Sequence, residues 1–151
     1  ESFKDVVEIA SSHHEKFNGQ GYFRHKGGTE IPLGGRILAV ADVFDAITSI
    51  RHYRDRMPIQ DAVKIIREGA GTHFDERITD LFLSITCDRI IDIILSDSDC
   101  ALDANSRKIL ESHQLFEIEV MINKVVKTPE EQEFIDLFNH YYIHQSVKDK
   151  N

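Results

Sequence analysis

One run constrains the fold more than any other. GRILAVADVFDAITSI (35–50) carries Ile37, Leu38, Val40, Ala41, Phe44 and Ile47 at helical spacing. Strict alternation does not fit it, so it reads as a buried helix despite its valines, which favour strands. FKDVVEIASSHH (3–14) repeats the pattern and puts Phe3, Val6, Val7, Ile9 and Ala10 on one stripe. The glycine-rich stretch between them (18–35, ended by Pro32) is a structured loop, because that many glycines cannot make a helix.

Helix punctuation continues along the chain. Pro58 suits a first helical turn and opens PIQDAVKIIREG (58–69), which Gly69 and Gly71 close. Asp75 is the expected N-cap of a helix through Ile85, and Ile90, Ile91, Ile94 and Leu95 keep helical spacing to residue 95. DSDCALDANS (97–106) reads as a linker, and SRKILESHQLFEIEVMINKVV after it as one long helix. Thr128-Pro129-Glu130-Glu131 forms a capping box for a last amphipathic helix with Phe134, Leu137, Phe138 and Tyr141 as its stripe. The expected fold class is all-α.

The formal charge of -8, from 18 basic and 26 acidic residues, argues against binding polymeric nucleic acid, which needs a basic surface. A small phosphate ligand needs only a local cationic cluster. Cys87 and Cys100 match neither a disulfide framework nor a zinc knuckle, and read as free thiols in a reducing compartment. No apolar run approaches the ~20 residues of a membrane span, and the first residues do not read as a signal leader.

The residues that carry chemistry are His13 and His14, adjacent at a helix end before HHEKFNGQGYF runs into the glycine loop. Neutral imidazoles and carboxylates hold divalent metals. Neighbours on a helix point about 100° apart, so the pair suits two ions side by side more than one. Asp42 and Asp45 interrupt the apolar 35–50 run, and a buried aspartate is costly unless paired or metal-bound. That cost marks Asp42 as a third candidate ligand and leaves Asp45 a structural role.

HHEKFNGQGYF, GGTEIPLGGRILAVADVFDAITSIRHYR and GTHFDERITDLFL together resemble the C-terminal half of the HD-GYP domain. This is a branch of the HD-type metal-dependent phosphohydrolases whose members cleave cyclic di-GMP in bacteria. The resemblance covers residues 1–85. It implies a helical bundle truncated at its N-terminus, with 86–151 a helical extension. It implies that His13, His14 and Asp42 are ligands of a divalent metal, iron or manganese, and that Arg51 and Arg54 face ligand phosphates. Gly21, Tyr22 and Phe23 occupy the Gly-Tyr-Pro signature, with Phe23 in place of proline, which puts that motif's rigidity and docking role in doubt. It further implies a cytoplasmic bacterial protein acting on a cyclic dinucleotide.

The family's His-Asp doublet lies upstream of the paired histidines. Only 12 residues precede His13 here, and no His-Asp dipeptide occurs. The expectation is therefore a fragment of a phosphodiesterase, inactive alone. The alternative is a catalytically degenerate helical signalling module, a homodimer through the aromatic 134–142 helix. A third reading gives His140 and His144, spaced i, i+4, a small metal site of their own.

Overall fold

The structure is a computed structural model describing residues 3–21, 24–49, 56–96 and 98–148, and the side chains of 6–143 within those spans. Among these residues the regular structure is helical: α1 (Phe3–Ser12), a 3-10 turn (Gly28–Glu30), α2 (Leu33–Thr48), α3 (Ile59–Glu68), α4 (Glu76–Leu83), α5 (Cys87–Ile94), α6 (Ala104–Leu110), α7 (Leu115–Asn123) and α8 (Pro129–Lys148). The all-α expectation holds. Tyr22, Phe23, Arg51 and Arg54 lie outside the described residues, as does the side chain of His144. The chain forms two compact units, residues 1–47 with 64–82, and 48–63 with 83–151.

In the first unit α1 meets α2 backbone to side chain. A Cβ on Gly34 would lie 3.0 Å from the Ile9 side chain, and one on Gly35 would lie 2.9 Å from Ser12 Cβ. Two adjacent glycines are what allow that approach. α2 buries Ala39, Val40 and Phe44, and Phe44 sits edge-on to Phe82 at 5.0 Å. Of the expected stripe of α1, Ile9 meets α2 while Val6 and Val7 are exposed, as are Ile37 and Leu38 of α2. Spacing identifies an apolar face but not what covers it.

The glycine loop is held by backbone pairing to the turn before α4. Phe17 N–H donates to His73 O at 3.0 Å, Asn18 N–H to Thr72 O at 2.9 Å, and Gly28 N–H to Phe17 O at 2.7 Å. Asp75 caps α4 as expected, accepting from Arg77 N–H at 2.9 Å.

In the second unit α8 packs on α5, α6 and α7, and α5 on α6. Phe134 and Phe138 of α8 are buried with Ile90, Ile91, Leu110, Leu115 and Ile118. The capping box forms: Glu131 N–H donates to Thr128 Oγ1 at 3.2 Å, and Thr128 N–H to Glu131 Oε2 at 3.0 Å.

Two expectations need correction here. The supposed linker already contains the start of α6, because the Asp103 carboxylate accepts from the N–H groups of Asn105 and Ser106. The single long helix expected after it is two. The chain breaks at 111–114, where Leu115 N–H donates to Ile85 O and Cys87 N–H to His113 O, both at 2.9 Å. Gln114 N–H finds the Glu117 carboxylate at 2.7 Å, a fresh helix start.

Candidate functional site

The paired histidines do not sit in a helix. α1 ends at Ser12, and His13 and His14 occupy the turn that follows. The helical 100° divergence therefore does not apply. The two rings lie 3.9 Å apart between centroids, tilted by 41°. His13 Nδ1 pairs with the Ala10 carbonyl. A carbonyl only accepts, so Nδ1 carries a proton, and in the neutral ring the lone pair that a metal ligand needs is on Nε2. His13 is half-buried and His14 exposed.

Asp42 is exposed, which corrects its expected burial. It follows buried Val40 by two residues, about 200° around α2. The desolvation argument for a ligand role therefore falls away. What remains is position: Asp42 lies seven residues after Gly35, close to the same helical face, roughly 10 Å along the axis. Gly35 is where α1 crosses. Asp45 is exposed as well. Among the described residues no group of three or more His, Cys, Asp or Glu side chains gathers closely enough to hold an ion. The donor chemistry of His13 and His14 fits a divalent metal, but the donor count falls short of a complete site.

A crevice with room for about 10 Å³, close to one water, is lined by Ser12 and Glu15, which flank the histidines in sequence. Ser12, Glu15, Arg36, Ala39, His73 and Asp75 are among its lining residues. Glu15 is 2% exposed. Its Oε1 accepts the Arg24 N–H, while Oε2 is buried without a hydrogen-bond partner among the described residues. A Cβ on Gly21 would strike Oε2 and come within 2.8 Å of the Lys16 nitrogen, so the signature position is glycine because Glu15 passes beneath it.

Arg36 Nη1 meets Asp75 Oδ2 at 2.6 Å, and Arg36 Nε donates to Ile31 O at 3.0 Å. Burial pushes the Asp75 carboxyl up, but the Arg36 hydrogen bond and the Arg77 amide outweigh it and hold it below its ordinary value. Burial, helped by Lys16, holds the His73 imidazole below its ordinary value and favours the neutral ring.

Glu15, Arg36 and His73 line the crevice, and spacing alone did not single them out. Two signals were available: Glu15 directly follows the paired histidines, and Arg36 is the one cation in the 35–50 run. Asp75 was legible as a cap but not as an ion-pair partner. His140 is exposed on α8 and stacks edge-on to Tyr141 at 5.2 Å.

An all-helical unit with paired imidazoles after its first helix matches the HD domain family over residues 1–78. The chain belongs to that family, and the match covers nearly all of the 1–85 span that resembles HD-GYP. A cyclic di-GMP phosphodiesterase of Vibrio cholerae is 46% identical over 78 residues, 52% of this chain and 16% of its own. A 3'3'-cGAMP-specific phosphodiesterase 3 of the same organism is 45% identical over 73 residues, 48% of this chain and 16% of its own. A cyclic di-GMP phosphodiesterase of Thermotoga maritima is 39% identical over 79 residues, 52% of this chain and 22% of its own. The matched segment thus spans between 16% and 22% of the length of these relatives.

Proposed function

We propose that this chain is part of a bacterial, cytoplasmic, metal-dependent phosphodiesterase that hydrolyses cyclic di-GMP. The observation that carries this reading is the His13–His14 pair, with ring centroids 3.9 Å apart and the Nδ1 of His13 held by a backbone carbonyl. The similarity to named cyclic-dinucleotide phosphodiesterases over residues 1–78 supports it. His13, His14 and Asp42 are the donors this chain offers to iron or manganese. A bound ion supplies an acidified water and charge neutralisation at the phosphoryl oxygens. Arg51 and Arg54 contribute charge-assisted hydrogen bonds to the ligand phosphates. Glu15 holds the glycine loop beside the histidines. Because three donors do not complete a bimetal site, the chain alone is inactive.

Metal analysis of the purified chain, with cyclic di-GMP turnover as a second readout, tests this. Expected are bound iron or manganese that falls at least tenfold in His14→Ala, no change in His140→Ala, and no turnover. Metal retained in His14→Ala overturns the assignment, and turnover by the wild-type chain overturns its inactivity. A second reading, a degenerate signalling module that dimerises, is favoured by the absence of any three-donor group among the described residues. A chain that binds no metal and sediments as a dimer supports that reading. Loss of metal in His140→Ala supports the His140 and His144 site.

A further inference from the structure

Asn18 and Gly19 stand in the loop that follows the paired histidines, and the phosphodiesterase reading makes no use of their chemistry. An asparagine before a glycine is prone to deamidation, because glycine has no side chain to hinder attack by its own nitrogen. Of the asparagines in the chain, Asn18 alone precedes a glycine. Asn105 and Asn139 lie within α6 and α8, and the amide after Asn105 is taken by the Asp103 carboxylate. Asn18 is exposed and lies outside the helices.

The first unit holds this dipeptide from both sides. Phe17 N–H donates to His73 O at 3.0 Å and Asn18 N–H to Thr72 O at 2.9 Å, while Gly19 N–H donates to Lys16 O at 2.9 Å. The Asn18 side chain is engaged too, its Oδ1 accepting from Gln20 N–H at 3.0 Å. Gly19 has a φ of +76°, and a Cβ on Gly27 would lie 3.0 Å from its Cα. Attack needs the Gly19 nitrogen free of Lys16 and the Asn18 side chain free of Gln20. The reaction therefore runs from an opened loop, and the clamp slows it.

We propose that Asn18 is a modification site: it deamidates at a rate set by opening of the glycine loop, and its isoaspartyl product no longer fits the clamp. The Gly19 nitrogen bonds to Asn18 Cγ, the Cγ–Nδ2 bond breaks, and Nδ2 leaves as ammonia with the Gly19 amide proton. Water then opens the succinimide. Opening at Cγ gives aspartate, which keeps an acceptor for Gln20 N–H. Opening at the Asn18 main-chain carbonyl gives isoaspartate, with one more methylene in the main chain. That methylene falls between the Thr72 anchor and the close approach of Gly19 to Gly27, and Cγ becomes main chain, so the side-chain acceptor for Gln20 is lost.

The test ages the whole chain at mildly alkaline pH and follows the mass of tryptic peptide 17–24, bounded by Lys16 and Arg24. The folded chain should convert at Asn18 roughly tenfold more slowly than the same chain in urea, because opening breaks the clamp's hydrogen bonds. The two products are separated by chromatography and told apart by fragmentation. In the isoaspartyl chain, hydrogen exchange at the Gly19 and Gly28 amides should accelerate about tenfold. Asn18→Asp should keep the wild-type protection. Far-ultraviolet circular dichroism checks that the helices persist in each form.

No conversion of the folded chain in the time that fully converts the unfolded one overturns the modification site. Equal rates in the two overturn the gating. Wild-type protection of Gly19 and Gly28 in the isoaspartyl chain overturns the effect on the clamp. Equal loss of protection in Asn18→Asp also overturns it, by showing that charge and not the added methylene is responsible.

Discussion

Arg36 and Asp75 meet at 2.6 Å in the first unit, 17% and 5% exposed, and the same carboxylate caps α4 through the Arg77 amide. One group thus serves an ion pair and a helix start. Asp75→Asn should cost about 3 kcal/mol in urea unfolding, because it strands a largely buried guanidinium. The pH dependence follows from the direction of the shift. The folded carboxyl lies below its unfolded value of 3.8, so its contribution is complete above that value. It is lost as pH falls through the folded pKa. An acid titration of stability should lose part of its slope below about pH 4 in Asp75→Asn; an unchanged slope removes Asp75 from the account.

Gly35→Ala puts a methyl 2.9 Å from Ser12 Cβ, against a helix that cannot yield without moving His13 and His14. The expected cost is about 1–3 kcal/mol, read as a lower denaturant midpoint at constant slope. Gly28→Ala is the contrast. Nothing lies within 4 Å of its added methyl, but φ is +57°, so strain alone should cost about 1 kcal/mol. A Gly35→Ala midpoint equal to wild type contradicts the close crossing.

Glu15→Ala removes the acceptor of the Arg24 N–H. Native-state hydrogen exchange at the Arg24 amide should accelerate roughly tenfold, the equivalent of one hydrogen bond. Glu15→Gln keeps an acceptor oxygen and should restore most of the protection. Equal protection in all three proteins shows that the loop is held elsewhere.

The two thiols should separate cleanly. Cys87 is fully buried and its thiol is pushed up to about 12, first by burial and then by Glu117 and Asp88. Cys100 is exposed. Native protein should give one fast thiol per chain with a thiolate-specific reagent, and the second only on unfolding. Two fast thiols contradict the burial of Cys87.

Helix starts were legible because their hydrogen bonds are local. Thr128 with Glu131, and Asp75 with Arg77, satisfy backbone donors two or three residues away, and such pairs leave a sequence signature. The break at 111–114 was not legible, because its backbone groups are satisfied by residues 85 and 87. Asp42 shows another limit. Apolar neighbours suggested burial, yet those neighbours divide between a covered face and an open one. The histidines were found by identity and adjacency. Arg36 was missed because its partner lies 39 residues on.

Residues 85–87 and 113–115 are stitched by two backbone hydrogen bonds and an antiparallel bridge between Thr86 and Gln114. The α5–α6 excursion therefore leaves and re-enters the chain at nearly one point. Its two ends are pinned to each other before either helix meets α8, so closing this loop fixes where α5 starts and where α7 starts in a single step.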